Sequence, residues 1–126
     1  MTTYNELKSH LNEIETTIGY SFQDKELLIL AFVHRSFTNE NKQATQHNER
    51  LEFLGDSVLG LLVADHLYRV LPDLSEGDLS TFRARLVEAG SCMNYLIKLD
   101  LQRFLLLGKG ERMNDGRGRE SIMADL

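Results

Sequence analysis

Cysteine, proline and long apolar runs are scarce in this chain. The one cysteine, Cys92, cannot form an internal disulfide, which is compatible with a reducing compartment, and its neighbours suggest packing in the core. No stretch approaches the roughly 18 apolar residues that span a bilayer, and the N-terminus lacks a basic region followed by an apolar run. We therefore expect a cytoplasmic protein with no membrane segment.

Positive charge is also scarce. The chain has 14 Lys and Arg against 19 Asp and Glu, a net charge of −5, which argues against nucleic acid because Lys and Arg normally neutralise phosphates. Residues 103–119, called the basic segment below, are the exception, with five basic residues, two acidic residues and four glycines. A glycine-rich basic loop lets backbone amides approach phosphates; the alternative is a flexible, soluble connector.

Period-two strand patterns and internal repeats are absent, and helical spacing runs through the whole chain. The 126 residues suffice for one domain, which we expect to be all-α. Gly19 is a candidate C-cap, Asp24 and Ser75 are candidate N-caps, Pro72 should stop the helix before it, and Gly90 should break a later one. The spacing predicts helices over residues 4–18, 25–31, 48–71, 76–90, 93–99 and from 119 onward, with a polar loop over 38–48.

Three carboxylates stand at i, i+3 and i+7 in the third predicted helix: Glu49, Glu52 and Asp56. At 3.6 residues per turn they fall within an arc of roughly 60°. Charges that close repel one another, and a divalent cation would relieve the repulsion. Carboxylate oxygens suit Mg²⁺ and Mn²⁺, which commonly sit between carboxylates and a substrate phosphate, so phosphodiester chemistry is the leading hypothesis. The alternative is a solvated acidic face.

Two neighbours of these acids weigh against a solvated face. Phe53 and Gly60 project on the same side, where an aromatic ring suggests cover by another chain and a glycine suggests close approach of a backbone. The opposite side of the helix should face the core, and it carries Leu51, Leu54, Val58, Leu61 and Leu62.

The stretch around these acids, residues 47–60 (HNERLEFLGDSVLG), closely resembles the signature of the ribonuclease III family. Three further blocks follow the family's order and span most of the chain. They are residues 31–36 (AFVHRS), residues 76–80 with 83–87 (EGDLS and RARLV), and residues 119–126 (RESIMADL). The resemblance implies the helical endonuclease-domain fold of that family, assembled as a homodimer.

The resemblance also implies an activity. It is the metal-dependent hydrolysis of double-stranded RNA, in the processing of ribosomal and other RNA precursors, leaving 5′-phosphate and 3′-hydroxyl ends. A symmetric dimer would place two centres across one valley, each cutting one strand of an A-form duplex that is read through shape, phosphates and 2′-hydroxyls.

The resemblance also implies roles for particular residues. Glu52, Asp56 and Asp125 match metal-binding positions for Mg²⁺, with Mn²⁺ as a substitute, and Asp56, Glu52 and Glu49 match catalytic positions. Glu76 matches an acidic position at the periphery of the centre; alternatively it complements the helix dipole beside Ser75. Phe53 matches the aromatic anchor of the dimer interface. Double-stranded RNA would contact the basic segment, with Lys109, Arg112, Arg117 and Arg119 as candidates.

The family pattern continues beyond the last residue of this sequence. In the family a glutamate three residues after the position of Asp125 completes the metal site. We therefore expect residues 1–126 to be the catalytic domain truncated before its last helices, without a double-stranded RNA-binding domain and without that glutamate.

Some interpretations stay open. The alternative to the nuclease is a cleavage-incompetent truncated domain that binds RNA or dimerises. The roles of five further residues are not assigned by spacing, and a structural role is the first expectation for His34, Arg35, His47, Arg83 and Arg85.

Overall fold

The structure is a computed structural model, and it describes residues 3–112 and 126. Within these residues it contains eight α-helices, one 3₁₀ turn and a single isolated bridge between extended residues. The helices are α1 (Tyr4–Ser9), α2 (Leu11–Ile18), α3 (Lys25–Ala31), α4 (Arg35–Glu40), α5 (Glu49–Val70), α6 (Glu76–Val87), α7 (Ala89–Lys98) and α8 (Lys109–Arg112), with the 3₁₀ turn at Gln102–Phe104. The all-α prediction is confirmed. The helix predicted from residue 119 onward lies outside the described residues.

The first predicted helix is two helices. The chain breaks at His10, where ψ is 8°, and the prediction of one helix over 4–18 is wrong. Side chains take part in the break: Ser9 donates to the Glu6 carbonyl at 2.7 Å, and His10 Nδ1 lies 2.6 Å from the same oxygen. Such local side-chain bonds compete with the helical ladder. Gly19 ends α2 at φ 71°, a left-handed conformation that suits glycine, as predicted.

Most of the other predicted boundaries are confirmed. Asp24 caps α3 by accepting from the Glu26 N–H at 3.0 Å, and Ser75 caps α6 by accepting from the Asp78 N–H at 3.2 Å. Helix α5 ends at Val70, just before Pro72.

Two helix assignments were wrong. Helix α4 occupies part of the region predicted as a polar loop, and its N-cap is a histidine, His34. Gly90 does not break a helix but lies in the first turn of α7. The break comes at Glu88, whose ψ of 158° is extended, and the freed end of α6 is bonded by α7: Ser91 donates to Arg85 O and Tyr95 to Leu86 O.

The core is built from the two ends of the described chain. Leu7 and Ile14 from α1 and α2 pack with the end of α3 and with residues 101–107. A parallel bridge joins Val33 to Leu106: the Leu106 N–H donates to Phe32 O at 2.8 Å, and the His34 N–H donates to Leu106 O at 3.1 Å. The apolar run 104–107 is therefore buried beside the α3–α4 connection.

Helix α5 lies largely outside this core. Of its 22 residues only Leu67 is buried, and α5 makes its main contacts with α6. The predicted core-facing side was wrong: Leu51 is half-buried, while Leu54, Val58, Leu61 and Leu62 are 47–69% exposed. The helix is apolar on more than one side, so spacing does not decide which side is covered. Among the residues that the structure describes, no helix has the length and apolar character required to cross a membrane.

A buried acid links the first helices. Glu15 on α2 is only 6% exposed, and its carboxylate accepts from Lys25 Nζ at 2.7 and 2.8 Å and from the Phe22 N–H. The bond from Lys25, and then the bond from Phe22, hold the pKa of Glu15 below its ordinary value of 4.5. The carboxylate thus stabilises the fold when it is ionised.

We predict that Glu15→Gln lowers the urea midpoint of unfolding at pH 7. Because the pKa of Glu15 is lowered in the folded state, its contribution is complete above pH 4.5 and is lost as the pH falls through the lowered value. The midpoints of wild type and variant should therefore converge in acid. Glu26→Gln, at an exposed acid of α3, is the control. A difference that is constant from pH 7 to pH 3 would contradict the assignment.

Candidate active site

The acidic half of α5 is positioned by one buried polar residue. Asn48, which is 3% exposed, precedes the helix; its side-chain N–H donates to Ala31 O at 2.9 Å and its backbone N–H donates to Val33 O at 2.8 Å. These bonds attach the start of α5 to the end of α3. Sequence reasoning missed this role: an asparagine before a helix predicts a cap, yet Asn48 makes no side-chain cap.

Two of the predicted site acids share a cavity. Glu52 and Asp56, one turn apart on α5, line a space of about 340 Å³. Its other walls are the end of α3, the α6–α7 junction and Leu126. The lining residues are Ala31, Asn48, Leu51, Gly55, Leu59, Val87, Ala89, Cys92 and Leu126. Helix α5 thus places two carboxylates in one recess with both polar and apolar walls.

Glu49 lies elsewhere. It is exposed, pairs with Arg35 Nη1 at 3.4 Å, and lines a second cavity of about 770 Å³ together with Phe53. The structure therefore separates the three acids of the i, i+3, i+7 pattern, with Glu52 and Asp56 in one cavity and Glu49 beside another. Arg35, whose role spacing did not assign, contacts Glu49 from the first turn of α4.

Glu76 is not brought to the cavity of Glu52 and Asp56. It lies in the first turn of α6, accepts a hydrogen bond from Ser80 Oγ at 2.9 Å, and lines a separate space with Tyr68 and Arg83. This placement agrees with the alternative in which the charge complements the helix N-terminus.

The described donors suit a hard cation. Mg²⁺ is usually held by one or two carboxylates and keeps several waters, and Glu52 with Asp56 supplies such a pair in one recess. Within residues 3–112 and 126 no group of three metal-ligating side chains occurs. Asp125, the third predicted ligand, lies outside the described residues.

Cys92 is a cavity residue that sequence reasoning assigned to the core. It is half-buried, and its thiol donates weakly to Val87 O at 3.5 Å. Burial raises the pKa of the Cys92 thiol, and the negative charge of Asp56 raises it further. The charge of Asp56 is therefore felt across the cavity, from α5 to α7.

His34 and His47, to which spacing assigned no role, lie in different surroundings. His34 caps α4, because its Nδ1 accepts from the Ser36 N–H at 3.1 Å. His47 lines the cavity beside Phe53, and its Nδ1 is buried without a hydrogen bond within the described part of the chain.

Of the four candidate RNA-binding residues, Lys109 is described in full. It is exposed at the start of α8. Arg112 ends that helix, and its side chain is not among those described; Arg117 and Arg119 lie outside the described residues. Phe53, the predicted dimer anchor, is 79% exposed.

Comparisons with known proteins agree with this architecture. The Ribonuclease-III-like family model matches residues 24–126. The chain is 68% identical to Ribonuclease 3 of Protochlamydia amoebophila over 113 residues, covering 90% of this chain and 47% of that protein. It is 45% identical to Ribonuclease 3 of Borreliella burgdorferi over 121 residues, covering 96% of this chain and 49% of that protein. The chain thus spans about half the length of these relatives.

A solved structure is similar as well. The nuclease domain of ribonuclease III from Campylobacter jejuni, described as having a flexible region involved in dimer formation, superposes with a TM-score of 0.79 at 41% identity. The match covers 90% of this chain and 76% of that one. The chain is an all-α domain with two carboxylates one turn apart on its longest described helix, and it matches a nuclease domain. These features define its class as a nuclease-type domain. The chain belongs to the ribonuclease III family.

We predict that Asp56→Asn speeds alkylation of Cys92 by iodoacetamide at pH 8. Removing the negative charge lowers the thiol pKa, and the larger thiolate fraction outweighs the small loss of nucleophilicity, for an increase of about twofold. Mass spectrometry of the labelled peptide measures the rate. Asp65→Asn, at an exposed acid further along α5, should leave the rate unchanged. Equal rates for Asp56→Asn and wild type would show that Asp56 points away from this cavity.

Proposed function

We propose that residues 1–126 form a metal-dependent endonuclease domain that hydrolyses phosphodiester bonds of double-stranded RNA. The observation that carries this proposal is the pair of carboxylates, Glu52 and Asp56, directed into one recess in a chain of the ribonuclease III family. The products would carry 5′-phosphate and 3′-hydroxyl ends, and the substrates would be ribosomal and other RNA precursors in the cytoplasm.

Glu52, Asp56 and Asp125 would hold Mg²⁺, or Mn²⁺ in its place. An ion bound there would lower the pKa of a water molecule and would stabilise negative charge on the phosphate. The protein contributes position: Asn48 fixes the start of α5, so that both carboxylates keep their direction without rearrangement. Leucine, valine and alanine side chains line part of the recess and lower the local polarity, which strengthens the attraction between the carboxylates and a cation.

Glu49 would act at the edge of the centre. Its ion pair with Arg35 lies on the side of α5 that carries Phe53, where the carboxylate would orient water near the scissile phosphate. Support for Glu76 is weaker, because its carboxylate is already bonded within α6.

Duplex RNA would contact the basic segment through Lys109, Arg112, Arg117 and Arg119. The exposed ammonium group of Lys109 supports this assignment. An A-form duplex offers mainly phosphates and 2′-hydroxyls to such side chains, so sequence preference would be low.

The domain would act as a homodimer. Phe53 is exposed beside a cavity of about 770 Å³ that opens on the same face, lined by His47 and Leu54 among others. A two-fold interface requires a surface that is complementary to itself, and an aromatic ring next to a recess satisfies that requirement. The exposed apolar side chains of α5 would be covered in part by the partner.

The activity is tested by incubating the chain with a 5′-labelled RNA duplex and Mg²⁺. Cleavage should stop in EDTA, and Asp56→Asn should lower kcat by at least about 100-fold because a metal ligand is lost. Asp65→Asn, on the same helix, is the matched control and should cut at the wild-type rate. Binding of the duplex without any cleavage in Mg²⁺ or Mn²⁺ would overturn the proposal.

A second prediction concerns the dimer. Phe53→Ala should raise the dimer dissociation constant by at least about tenfold, since it removes a large apolar side chain from the interface. Light scattering over a concentration series measures it. Tyr68→Ala removes an equally exposed aromatic group, 75% exposed, from the far half of α5 and serves as control. A molar mass that is unchanged at every concentration for Phe53→Ala would reject the anchor role.

A further inference from the structure

Helix α4 is bonded at both of its ends to parts of the molecule far away in sequence. At its first turn, Arg35 pairs with Glu49 on α5 at 3.4 Å. At its last residue, the carboxylate of Glu40 accepts a hydrogen bond from the backbone N–H of Lys109 at 2.6 Å. One short helix therefore connects Glu49 on α5 to Lys109 in the basic segment.

The second of these junctions is closely packed. Gly108 is buried, and its N–H donates to Ser36 Oγ at 2.8 Å. A Cβ at Gly108 would lie 2.6 Å from the backbone oxygen of Ser36 and 2.7 Å from Glu40 Oε2, which is closer than real Cβ atoms come. The backbone of residues 108–109 thus reaches α4 only because residue 108 is glycine.

The junction holds the backbone of Lys109 and leaves its side chain in solvent. Glu40 bonds the amide, and no ion pair between Glu40 and the Lys109 ammonium group forms in the described part of the chain. An acid beside a base is an unfavourable neighbour for RNA phosphates, so Glu40 has no electrostatic benefit for RNA binding of its own. The role of Glu40 that the geometry supports is its hydrogen bond with the Lys109 amide.

We propose that Glu40 is a positioning residue for RNA binding: by bonding the Lys109 amide it fixes where the Lys109 ammonium group stands relative to Glu49. This inference rests on the proposed function. With six residues at a rise of about 1.5 Å, α4 sets the two anchored points at opposite ends of a rigid spacer about 9 Å long. Duplex phosphates held by Lys109 would then stand at a constant offset from the acidic centre.

The direction in which a substitution of Glu40 changes RNA affinity distinguishes a positioning role from an effect of its charge. Removing a negative charge near the RNA should by itself tighten binding. If Glu40 acts by position, Glu40→Ala should instead weaken binding and raise KM by about tenfold, the low end of the effect of one hydrogen bond to a charged group, with kcat nearly unchanged. Glu40→Gln keeps an acceptor oxygen for the Lys109 amide, so it should bind as tightly as wild type or more tightly.

The experiment measures KM and kcat for cleavage of an RNA duplex, and Kd with EDTA present, for wild type and variants. Lys109→Ala should weaken binding, and adding Glu40→Ala to it should weaken binding no further, because both changes act through Lys109. Gly108→Ala, which forces the junction apart, should reproduce Glu40→Ala. Glu26→Ala, at an exposed acid on α3, is the charge-matched control and should bind at least as tightly as wild type. Circular dichroism verifies that each variant is folded.

The outcomes are distinguishable. A wild-type chain that does not cut duplex RNA, whether or not it binds the duplex, refutes the proposed function. A wild-type chain that cuts, with Glu40→Ala binding as tightly as Glu40→Gln, refutes the positioning role alone. Additive losses in the double variant also refute it, since Glu40 would then act without Lys109.

Discussion

The backbone between α3 and α4 is the point on which the other parts of this fold depend. Residues 31–34 bond two separate regions: the carbonyls of Ala31 and Val33 accept from Asn48, and the segment around Leu106 bonds to Phe32 and His34. Because buried amides and carbonyls must be paired, each of these bonds constrains its partner strongly. Loss of the Asn48 amide would leave the Ala31 carbonyl without that donor and would release the start of α5.

The same arrangement explains how one long helix serves two surfaces. The start of α5 is anchored, its Glu52 and Asp56 face a recess, and its Glu49 and Phe53 face outward beside Arg35. The three acids are therefore not crowded together. Arg35 balances the charge of Glu49, and Glu52 and Asp56 remain to attract a cation. Helix α4, only six residues long, joins this arrangement to the basic segment through Glu40 and Gly108.

The proposed binding of RNA by an acidic chain is less contradictory than its net charge suggests. Part of the negative charge is balanced within the fold, since Glu15 pairs with Lys25 and Glu49 pairs with Arg35. A cation in the recess would offset Glu52 and Asp56 where phosphate approaches. The local distribution of charge, and not its sum, is what an RNA duplex would meet.

Local chemistry in the sequence determined a good part of this structure. The caps at Asp24 and Ser75, the left-handed Gly19, and the length of α5 up to Pro72 follow from bonds within a few residues. The one-turn separation of Glu52 and Asp56 follows from the helix period. The family signature, read from the same residues, led to the fold that the comparisons show.

Contacts between residues distant in sequence decided the rest. Helix α4, the position of Gly90 and the exposed side of α5 were not predicted correctly, since each depends on which neighbours cover a segment. The break at His10 was also missed, although it is accompanied by local side-chain bonds to the Glu6 carbonyl. Three contacts join residues far apart in sequence. Arg35 pairs with Glu49, and Cys92 lies near Asp56. Gly108 bonds to Ser36, 72 residues away. Helical spacing states which side chains share a face; only packing states what that face meets, because burial and hydrogen bonding are settled by the whole fold.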